Sequence, residues 1–395
     1  MVRSTGKPPV QLNYWGEIMI YLDNAATSGK KPQEVINAVA YSLRYLNANP
    51  GRGGNDMAIK TAMSVYSVRK QLKEMFNAKS ENNICFTANC TMAINMILYG
   101  VLNRGDHVII SSLEHNAVSR PINYLKEYRG IEYDVATVDM LHREKTVENF
   151  KKLIKKNTKM IFCTHASNVT GYILPIAELG MLSKEREILF GVDAAQSGGV
   201  VDIDMQKMNI DFLALAPHKG LFAPMGTGVL IAEKPMKNIL ISGGTGTNSL
   251  ELIQPEEPPE RFESGTVNLP GIVGVGEGIN FVKSKGMKRI HKYEIELLRN
   301  AYFGIEKIGG KLYTPPPTTD DYTAVLSFNI KDMSSGSVAK FLNKNGIAVR
   351  SGFQCSALAH KHLKTTDIGT VRISPGIYNS PKEIERLIFL LKNAN

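Results

Sequence analysis

The feature that most constrains the fold is an alternation between short apolar runs and amphipathic helical stretches over residues 34–235. Five of the apolar runs are rich in β-branched or aromatic residues and end at polar or glycine residues: 83–87, 107–111, 160–164, 188–192 and 212–215. Buried strands separated by helices are typical of a mainly parallel sheet covered on both faces. The sequence therefore predicts an α/β fold with its functional side chains where the strands end.

A change of pattern divides the chain. Residues 243–270 are rich in glycine and proline, and a long helical pattern at about 274–308 follows them. Strand patterns at 324–329 and 347–350 and a helix from Ser380 complete the chain. We predict a large domain of residues 34–270 and a smaller α+β domain of residues 19–33 and 271–395. The polar residues 1–18 are predicted to form an N-terminal extension.

Composition excludes several functions. The net charge is +10, but the lysines are spread over helical stretches such as 150–159, so we expect solvated helix faces and no nucleic-acid partner. The four cysteines are scattered without a CxxC pair, which argues against disulfides and a metal site. No apolar run reaches the roughly 18 residues of a membrane span, and no signal peptide is visible. We expect a cytoplasmic, reducing setting.

Two strand ends carry residues with a chemical purpose. The run 188–192 leads into Asp193-Ala-Ala-Gln196, and a later strand leads into Pro217-His218-Lys219-Gly220. In pyridoxal-5'-phosphate (PLP) chemistry, a carboxylate keeps the pyridine nitrogen protonated and a lysine holds the aldehyde as a Schiff base. Singly, such an aspartate is more often a helix cap and such a lysine a surface residue.

Further residues fit an anionic cofactor. Thr87-Ala-Asn-Cys-Thr91 follows a strand and opens a predicted helix at Met92–Tyr99. The amides of such a helix start, together with the Thr91 hydroxyl, form a phosphate site, although Thr91 is also a plausible N-cap. His115 follows the strand run 107–111, where it fits either a ring stacked on the cofactor or a loop histidine.

Together these segments resemble the class V aminotransferase group of fold-type I PLP enzymes, and most closely the cysteine desulfurases of the short-loop, SufS-like type and the selenocysteine lyases. The matching segments run in family order from about residue 20 to the C-terminus: Tyr21–Thr27, Asn49–Gly54, Glu114–Asn116, His165–Gly171, Asp193–Gln196, His218–Lys219, Glu263–Asn268, Arg350–Cys355 and Val371–Ser374.

The resemblance implies a cofactor site. Lys219 would hold PLP covalently, Asp193 would pair with the pyridine nitrogen, Gln196 would bond the ring hydroxyl and His115 would stack on the ring. Asn168 would lie beside cofactor and substrate. The residues implied at the phosphate are Cys90, Thr91, His218 and Thr266, the last reaching in from a second subunit. The implied assembly is a homodimer.

The resemblance also implies a reaction. Arg372 would bind the substrate carboxylate, which a guanidinium can hold through two hydrogen bonds, with Ala26 and Asn55 near the substrate. Lys219 and His115 would act in catalysis, and Cys355 would take sulfur from L-cysteine as a persulfide, releasing L-alanine. The sulfur would pass to an acceptor protein, as in iron–sulfur cluster assembly.

Some positions depart from the family pattern. Ala216 stands where a hydroxyl residue is usual, Pro217 stands where glycine is usual, and Asn55 and Gln354 stand where histidine is common. The residues leave three alternatives open: a selenocysteine lyase, another class V aminotransferase-type reaction, and a weakly active binding partner in sulfur assembly. Selenide release, conversion of the cofactor to its amine form and failure to bind PLP would respectively distinguish them.

Overall fold

The computed structural model describes residues 19–50, 54–247 and 249–394, so the predicted extension 1–18 lies outside the described residues. The elements up to the large sheet's last strand are β1 (Ile20–Tyr21), α1 (Gln33–Tyr45), α2 (Asp56–Phe76), β2 (Ile84–Thr87), α3 (Cys90–Val101), β3 (His107–Ser111), α4 (Asn116–Arg129), β4 (Glu132–Ala136), α5 (Arg143–Lys152), β5 (Thr158–Thr164), α6 (Ile176–Glu185), β6 (Leu189–Asp193), β7 (Phe212–Leu215) and β8 (Gly228–Ala232).

The remaining elements form the C-terminal part of the chain. They are α7 (Leu269–Lys285), α8 (Met287–Lys307), β9 (Lys311–Leu312), β10 (Leu326–Asn329), α9 (Ser335–Lys344), β11 (Ile347–Ala348), β12 (Arg350–Gly352), α10 (Ala357–His362), β13 (Thr370–Ile373) and α11 (Pro381–Lys392).

A seven-stranded sheet with the order β2-β8-β7-β6-β5-β3-β4 forms the centre of the molecule. The strands from β7 to β4 pair in parallel, whereas β8 is antiparallel to both of its neighbours. The predicted mainly parallel sheet is confirmed. The prediction did not include β4 and β8, and it did not foresee that β2, within the described residues, pairs only with the antiparallel strand β8. A buried apolar run carries no local signal of strand direction, so pairing decides it.

Both faces of this sheet are covered by helices. In β3, Val108 and Ile110 pack with α3 and α4 in one apolar cluster, whereas Ile109 packs with α2, α6 and α7 in another. In β5, Phe162 belongs to the first cluster and Ile161 to the second. Successive strand side chains point to opposite faces, so uniformly apolar runs require two covered faces.

A smaller antiparallel sheet with the order β12-β13-β10-β9 lies in the C-terminal part. The N-terminal strand β1 pairs in parallel with β11, and Asp23 bridges to Ser374. Helix α7, however, packs on α1 and α2, which belong to the predicted large domain. The domain boundary at residue 270 therefore stays a prediction.

Local chemistry explains where the C-terminal helices begin and end. The helical pattern predicted at about 274–308 is helical in the structure, but it is divided into two helices, because Gly286 with φ 81° ends α7 and precedes α8. A glycine adopts this conformation without the steric cost of a side chain. Helix α11 begins as predicted, with a capping box between Ser380 and Glu383 and with Pro381 in the first turn.

Among the helices in the described residues, none is both long and apolar enough to cross a bilayer.

Candidate active site

A cavity of about 120 Å³ lies at the carboxyl ends of β2, β5, β6 and β7. It is lined by eight of the predicted site residues: Cys90, Thr91, His115, Asn168, Asp193, Gln196, His218 and Lys219. Lys219 and Gln196 also line a larger adjoining cleft of about 790 Å³. Residues spread over 130 positions of the chain therefore meet in one place, as expected for strand ends of an α/β sheet.

Lys219 lies on the connection between β7 and β8. Its backbone amide donates to the Ala216 carbonyl at 3.1 Å and its carbonyl accepts from the Phe222 amide at 3.1 Å, which gives a tight turn. The side chain is half-buried and its ammonium makes no hydrogen bond or ion pair within the described residues. Burial lowers the pKa of Lys219, although the nearby Asp193 opposes this. An amine of this kind is more readily neutral and nucleophilic.

Asp193 ends β6 and is 4% exposed. Its Oδ1 accepts from the Ala195 amide at 2.9 Å and from the Cys90 thiol at 3.7 Å, and no ion pair involves it within the described chain. Burial raises the pKa of Asp193. Burial also raises the pKa of the Cys90 thiol, and the negative charge of Asp193 raises it further. Cys90 therefore stays a thiol at neutral pH.

The start of α3 forms one wall of the cavity. The structure begins this helix at Cys90, two residues before the predicted start, with Asn89 as N-cap. The Asn89 side chain accepts from the Met92 amide at 2.9 Å, so the cap is Asn89 and not Thr91. The amides of Cys90 and Thr91, in the first turn, have no intrahelical acceptor and suit an anion.

Two histidines of the cavity are held neutral. His115 caps α4, and its Nδ1 accepts from the Ala117 amide at 3.0 Å, so the proton of the neutral ring is on Nε2. Burial, and then the charge of Lys219, lowers the pKa of His115 to about 4. His218 Nδ1 lies 3.0 Å from the Thr27 hydroxyl, and burial lowers its pKa to about 4 as well.

Arg372 lies on β13 and is 3% exposed. It donates to Asp23 Oδ1 at 2.5 Å and to the Asn168 carbonyl at 2.9 Å, and its buried Nε has no partner within the described residues. The Asn168 side chain donates to the Gln354 carbonyl at 2.7 Å and accepts from the Ser356 hydroxyl at 2.6 Å. Arg372 therefore contacts a residue of the cavity wall and keeps a spare donor.

Cys355 is exposed, three residues after β12 and directly before the N-cap of α10. Its carbonyl accepts from the Asn116 amide at 2.8 Å, next to His115. The preceding residue, Gln354, is bonded to Asn168 of the cavity wall. These two contacts join the Cys355 turn to two segments that line the cavity.

Five predicted residues do not line the cavity of this protomer: Arg372 and Cys355, described above, and also Asn55, Thr266 and Ala26. Asn55 is exposed and caps α2 by accepting from the Ala58 amide at 3.0 Å. Thr266 is exposed and accepts from the Asn49 side chain at 3.4 Å. Ala26 lies in a turn, where its backbone amide donates to the Asp23 carbonyl at 3.0 Å. Their roles toward substrate or a partner stay predictions.

Sequence reasoning missed two residues that shape the site. Asp23 pairs with Arg372, and Lys31 donates to the His218 carbonyl at 2.9 Å. Burial lowers the pKa of Lys31 to about 8. Asp23 stands in the Tyr21–Thr27 segment, so its place in a matching motif was an available signal, whereas no local pattern marks Lys31.

A doubly covered, mainly parallel sheet with a lysine and a carboxylate at its strand ends has the architecture of the fold-type I PLP enzymes. The family model described as Aminotransferase class-V matches residues 20–387. This chain belongs to the class V aminotransferase family.

Similar proteins refine this assignment. The chain is 34% identical over 390 residues to a probable cysteine desulfurase of Pyrococcus abyssi, covering 95% of this chain and 94% of the relative. It is 32% identical over 380 residues to a probable cysteine desulfurase of Methanothermobacter thermautotrophicus, covering 93% and 92%. The apo structure of cysteine desulfurase from Thermococcus onnurineus NA1 superposes with a TM-score of 0.87 at 30% identity, covering 95% and 94%.

Proposed function

We propose that this chain is a PLP-dependent cysteine desulfurase that converts L-cysteine to L-alanine and takes the sulfur onto Cys355. The observation that carries the proposal is the cavity in which Lys219, Asp193, His115 and the start of α3 meet, with the exposed Cys355 turn bonded to its wall. The names of the similar proteins agree with this chemistry.

The residues of the cavity fit PLP. Asp193 is a buried carboxylate without an ion pair in the described chain, and such a group is costly unless a cation compensates it. A protonated pyridine nitrogen is such a cation. The first-turn amides of α3 and the Thr91 hydroxyl suit the phosphate, and the Lys219 amine suits the aldehyde.

The residues that would hold the cofactor are those predicted from the sequence. Lys219 would carry it, Asp193 would face the pyridine nitrogen, and the neutral His115 ring would face the cofactor ring. The Gln196 amide, at the same wall, donates to the Ala25 carbonyl at 2.9 Å. The remaining contacts, to the phosphate, are assigned to Cys90, Thr91, His218 and a partner's Thr266.

When bound, PLP withdraws electrons from the α-carbon of an amino acid. Arg372 binds the substrate carboxylate with its spare donor, and Asn168 lies beside it. The Lys219 amine, whose pKa is lowered by burial, takes the α-proton of the substrate. The neutral His115 adds no positive charge that would repel a proton arriving at Lys219.

Sulfur transfer needs no co-reactant besides the chain, the bound cofactor and the substrate. The Cys355 thiolate forms a bond to the substrate sulfur, and the substrate carbon–sulfur bond breaks. The electron pair of that bond stays on the β-carbon, which is then protonated, and the proton that Lys219 took returns to the α-carbon to give L-alanine. Cys355 is left as a persulfide, and no external oxidant or reductant is consumed.

A homodimer fits the exposed positions. Thr266 is exposed in this protomer, and α1 and α2 expose several large apolar side chains: Tyr41, Leu43, Tyr45, Met57 and Met63. Large apolar side chains that are exposed on neighbouring helices are typical of an interface. A second copy would cover them and bring Thr266 to the phosphate.

The exposure of Cys355 also supports a thiol-bearing acceptor protein that collects the sulfur, for example for iron–sulfur cluster assembly. The chemistry of a persulfide fits a reducing, cytoplasmic setting.

The deciding experiment incubates the PLP-loaded protein with L-cysteine, measures alanine and maps the persulfide by mass spectrometry. Cys355→Ala should keep the cofactor absorbance and lose alanine formation at least 100-fold. Lys219→Ala should lose the Schiff-base absorbance as well. Cys85→Ala, in the buried strand β2, is the matched cysteine control and should retain the persulfide.

Undiminished alanine formation by Cys355→Ala would contradict the proposal. The same assay with L-selenocysteine tests the selenium alternative, in which selenide release would survive the loss of Cys355.

A further inference from the structure

The turn that carries Cys355 has an uncommon backbone. Gln354 and Cys355 are consecutive non-glycine residues with φ of 39° and 56°, both in the left-handed region. Residues with a side chain adopt this region at a steric cost, and such a conformation persists only where surrounding contacts over-determine it. Contacts around the turn must therefore compensate for the strain.

The Gln354 side chain supplies several of these contacts. It is 4% exposed, and its Nε2 donates to the Thr370 carbonyl at 2.9 Å. Its Oε1 accepts from the Thr370 hydroxyl at 3.1 Å and lies 2.8 Å from His360 Nε2. The other ring nitrogen of His360 lies 2.7 Å from the Thr365 hydroxyl.

This network has one consistent assignment of protons. Because Gln354 Oε1 can only accept, His360 donates from Nε2, and its Nδ1 accepts from Thr365. Burial lowers the pKa of His360, which favours this neutral ring. The amide is thus held by β13 on one side and by α10 on the other.

The backbone of the turn is fixed at the same time. The Gln354 carbonyl accepts from Asn168 and the Cys355 carbonyl accepts from the Asn116 amide. The Ser356 amide donates to the Phe353 carbonyl at 2.9 Å and closes the turn. The buried Gln354 side chain therefore anchors the turn. The turn in its place leaves the Cys355 side chain exposed.

We propose that Gln354 is a positioning residue for the sulfur transfer: its buried amide, held by Thr370 and His360, fixes the left-handed turn that carries the exposed Cys355 side chain. The inference rests on the proposed function, because a sulfur-accepting Cys355 needs a fixed position. Gln354 itself contacts no reacting atom. Gln354, which stands where the family commonly has histidine, thus has a structural role in this chain.

The first variant is Gln354→Leu, which removes the hydrogen bonds and keeps a similar volume. We expect kcat for alanine formation from L-cysteine to fall at least tenfold, with KM and the cofactor absorbance unchanged. Amide hydrogen exchange of the 352–357 peptide should become at least tenfold faster, since the Ser356 amide loses its fixed acceptor. The peptide that contains Asp193 should exchange as in the wild type.

The second variant is Thr370→Val, which removes only the hydroxyl that donates to Gln354. We expect a threefold or larger fall in kcat, again without a change in KM. The Gln354→Leu and Thr370→Val double variant should be no worse than Gln354→Leu alone, because both changes break the same bond. If Gln354→Leu does not fold, Thr370→Val decides the question by itself.

Lys364→Gly is the matched control. Lys364 is also a non-glycine residue with positive φ, 57°, but it is exposed and lies after α10. Its replacement should leave kcat and exchange of the 352–357 peptide unchanged.

Wild-type kcat and exchange in Gln354→Leu, or in Thr370→Val where the first variant does not fold, would overturn the inference. So would fully additive effects in the double variant. A wild-type protein that forms no alanine would instead refute the proposed function, and hydrogen exchange would still show whether Gln354 holds the turn.

Discussion

Removal of the Asp23 carboxylate should destabilise the folded chain strongly. Asp23 pairs with Arg372 at 2.5 Å, and the two side chains are only 14% and 4% exposed. Asp23→Ala removes one charge-assisted hydrogen bond and leaves a buried guanidinium without its counter-ion. The remaining hydrogen bond of Arg372, to the neutral Asn168 carbonyl, does not replace that charge.

The magnitude follows from burial. Loss of one partner of a buried ion pair costs about 3–5 kcal/mol, whereas an exposed pair contributes about 1 kcal/mol or less. The chain contains a matched exposed pair of the same residue types, Arg143 and Asp321, at 3.2 Å with side chains 39% and 37% exposed. Asp321→Ala is therefore the control.

Urea unfolding of the wild type and both variants measures the difference. With unchanged slopes, the shift of the midpoint reports the change in the free energy of unfolding. We expect Asp23→Ala to lose about 3–5 kcal/mol and Asp321→Ala about 1 kcal/mol or less. Equal losses in the two variants would refute the argument that burial makes the Asp23–Arg372 pair costly to break.

Two further predictions concern the site and its support. Because the pKa of His115 falls from roughly 6.5 in the unfolded chain to about 4 in the fold, its contribution to stability is complete above the unfolded value and is lost as pH falls toward 4. The His115 ring signals in NMR should show no titration between pH 5.5 and 8, and a midpoint near 6.5 would contradict its burial. Gly278→Ala in α7 should lower the melting temperature and weaken PLP binding, because its Cβ would overlap the Leu221 carbonyl, two residues after Lys219. Gly336→Ala in α9, where the nearest atom is 4.0 Å away, should leave both unchanged or raise the melting temperature, and equal effects of the two substitutions would contradict the steric argument.

Much of the large sheet was predictable because buried strands need both faces covered. The runs at 107–111 and 212–215 coincide with β3 and β7. Strand β4 was missed because its residues are largely half-buried and include charged side chains, so they form no apolar run. The α7–α8 break was missed because a single glycine inside an amphipathic pattern signals a break only when its φ is positive.

The site was predictable to a similar extent. Residues that follow strand ends, such as Asp193 and Lys219, carry a local signal of position, and the structure brings them to one cavity. The Asp23–Arg372 pair joins residues 349 positions apart, and the Gln354–Thr370 pair depends on the register of β12 against β13. No local pattern encodes such distant partners.

The sequence by itself determined that the chain forms a covered α/β sheet with a lysine and a carboxylate at strand ends, because periodicity and strand-end residues are local properties. Only the tertiary structure decided which groups are buried and against what. Burial lowers the pKa of Lys219 and keeps His115 neutral. A hydrogen bond joins the Gln354 side chain to β13, next to the left-handed turn at Cys355. Desolvation and long-range pairing exist only once distant segments are packed together.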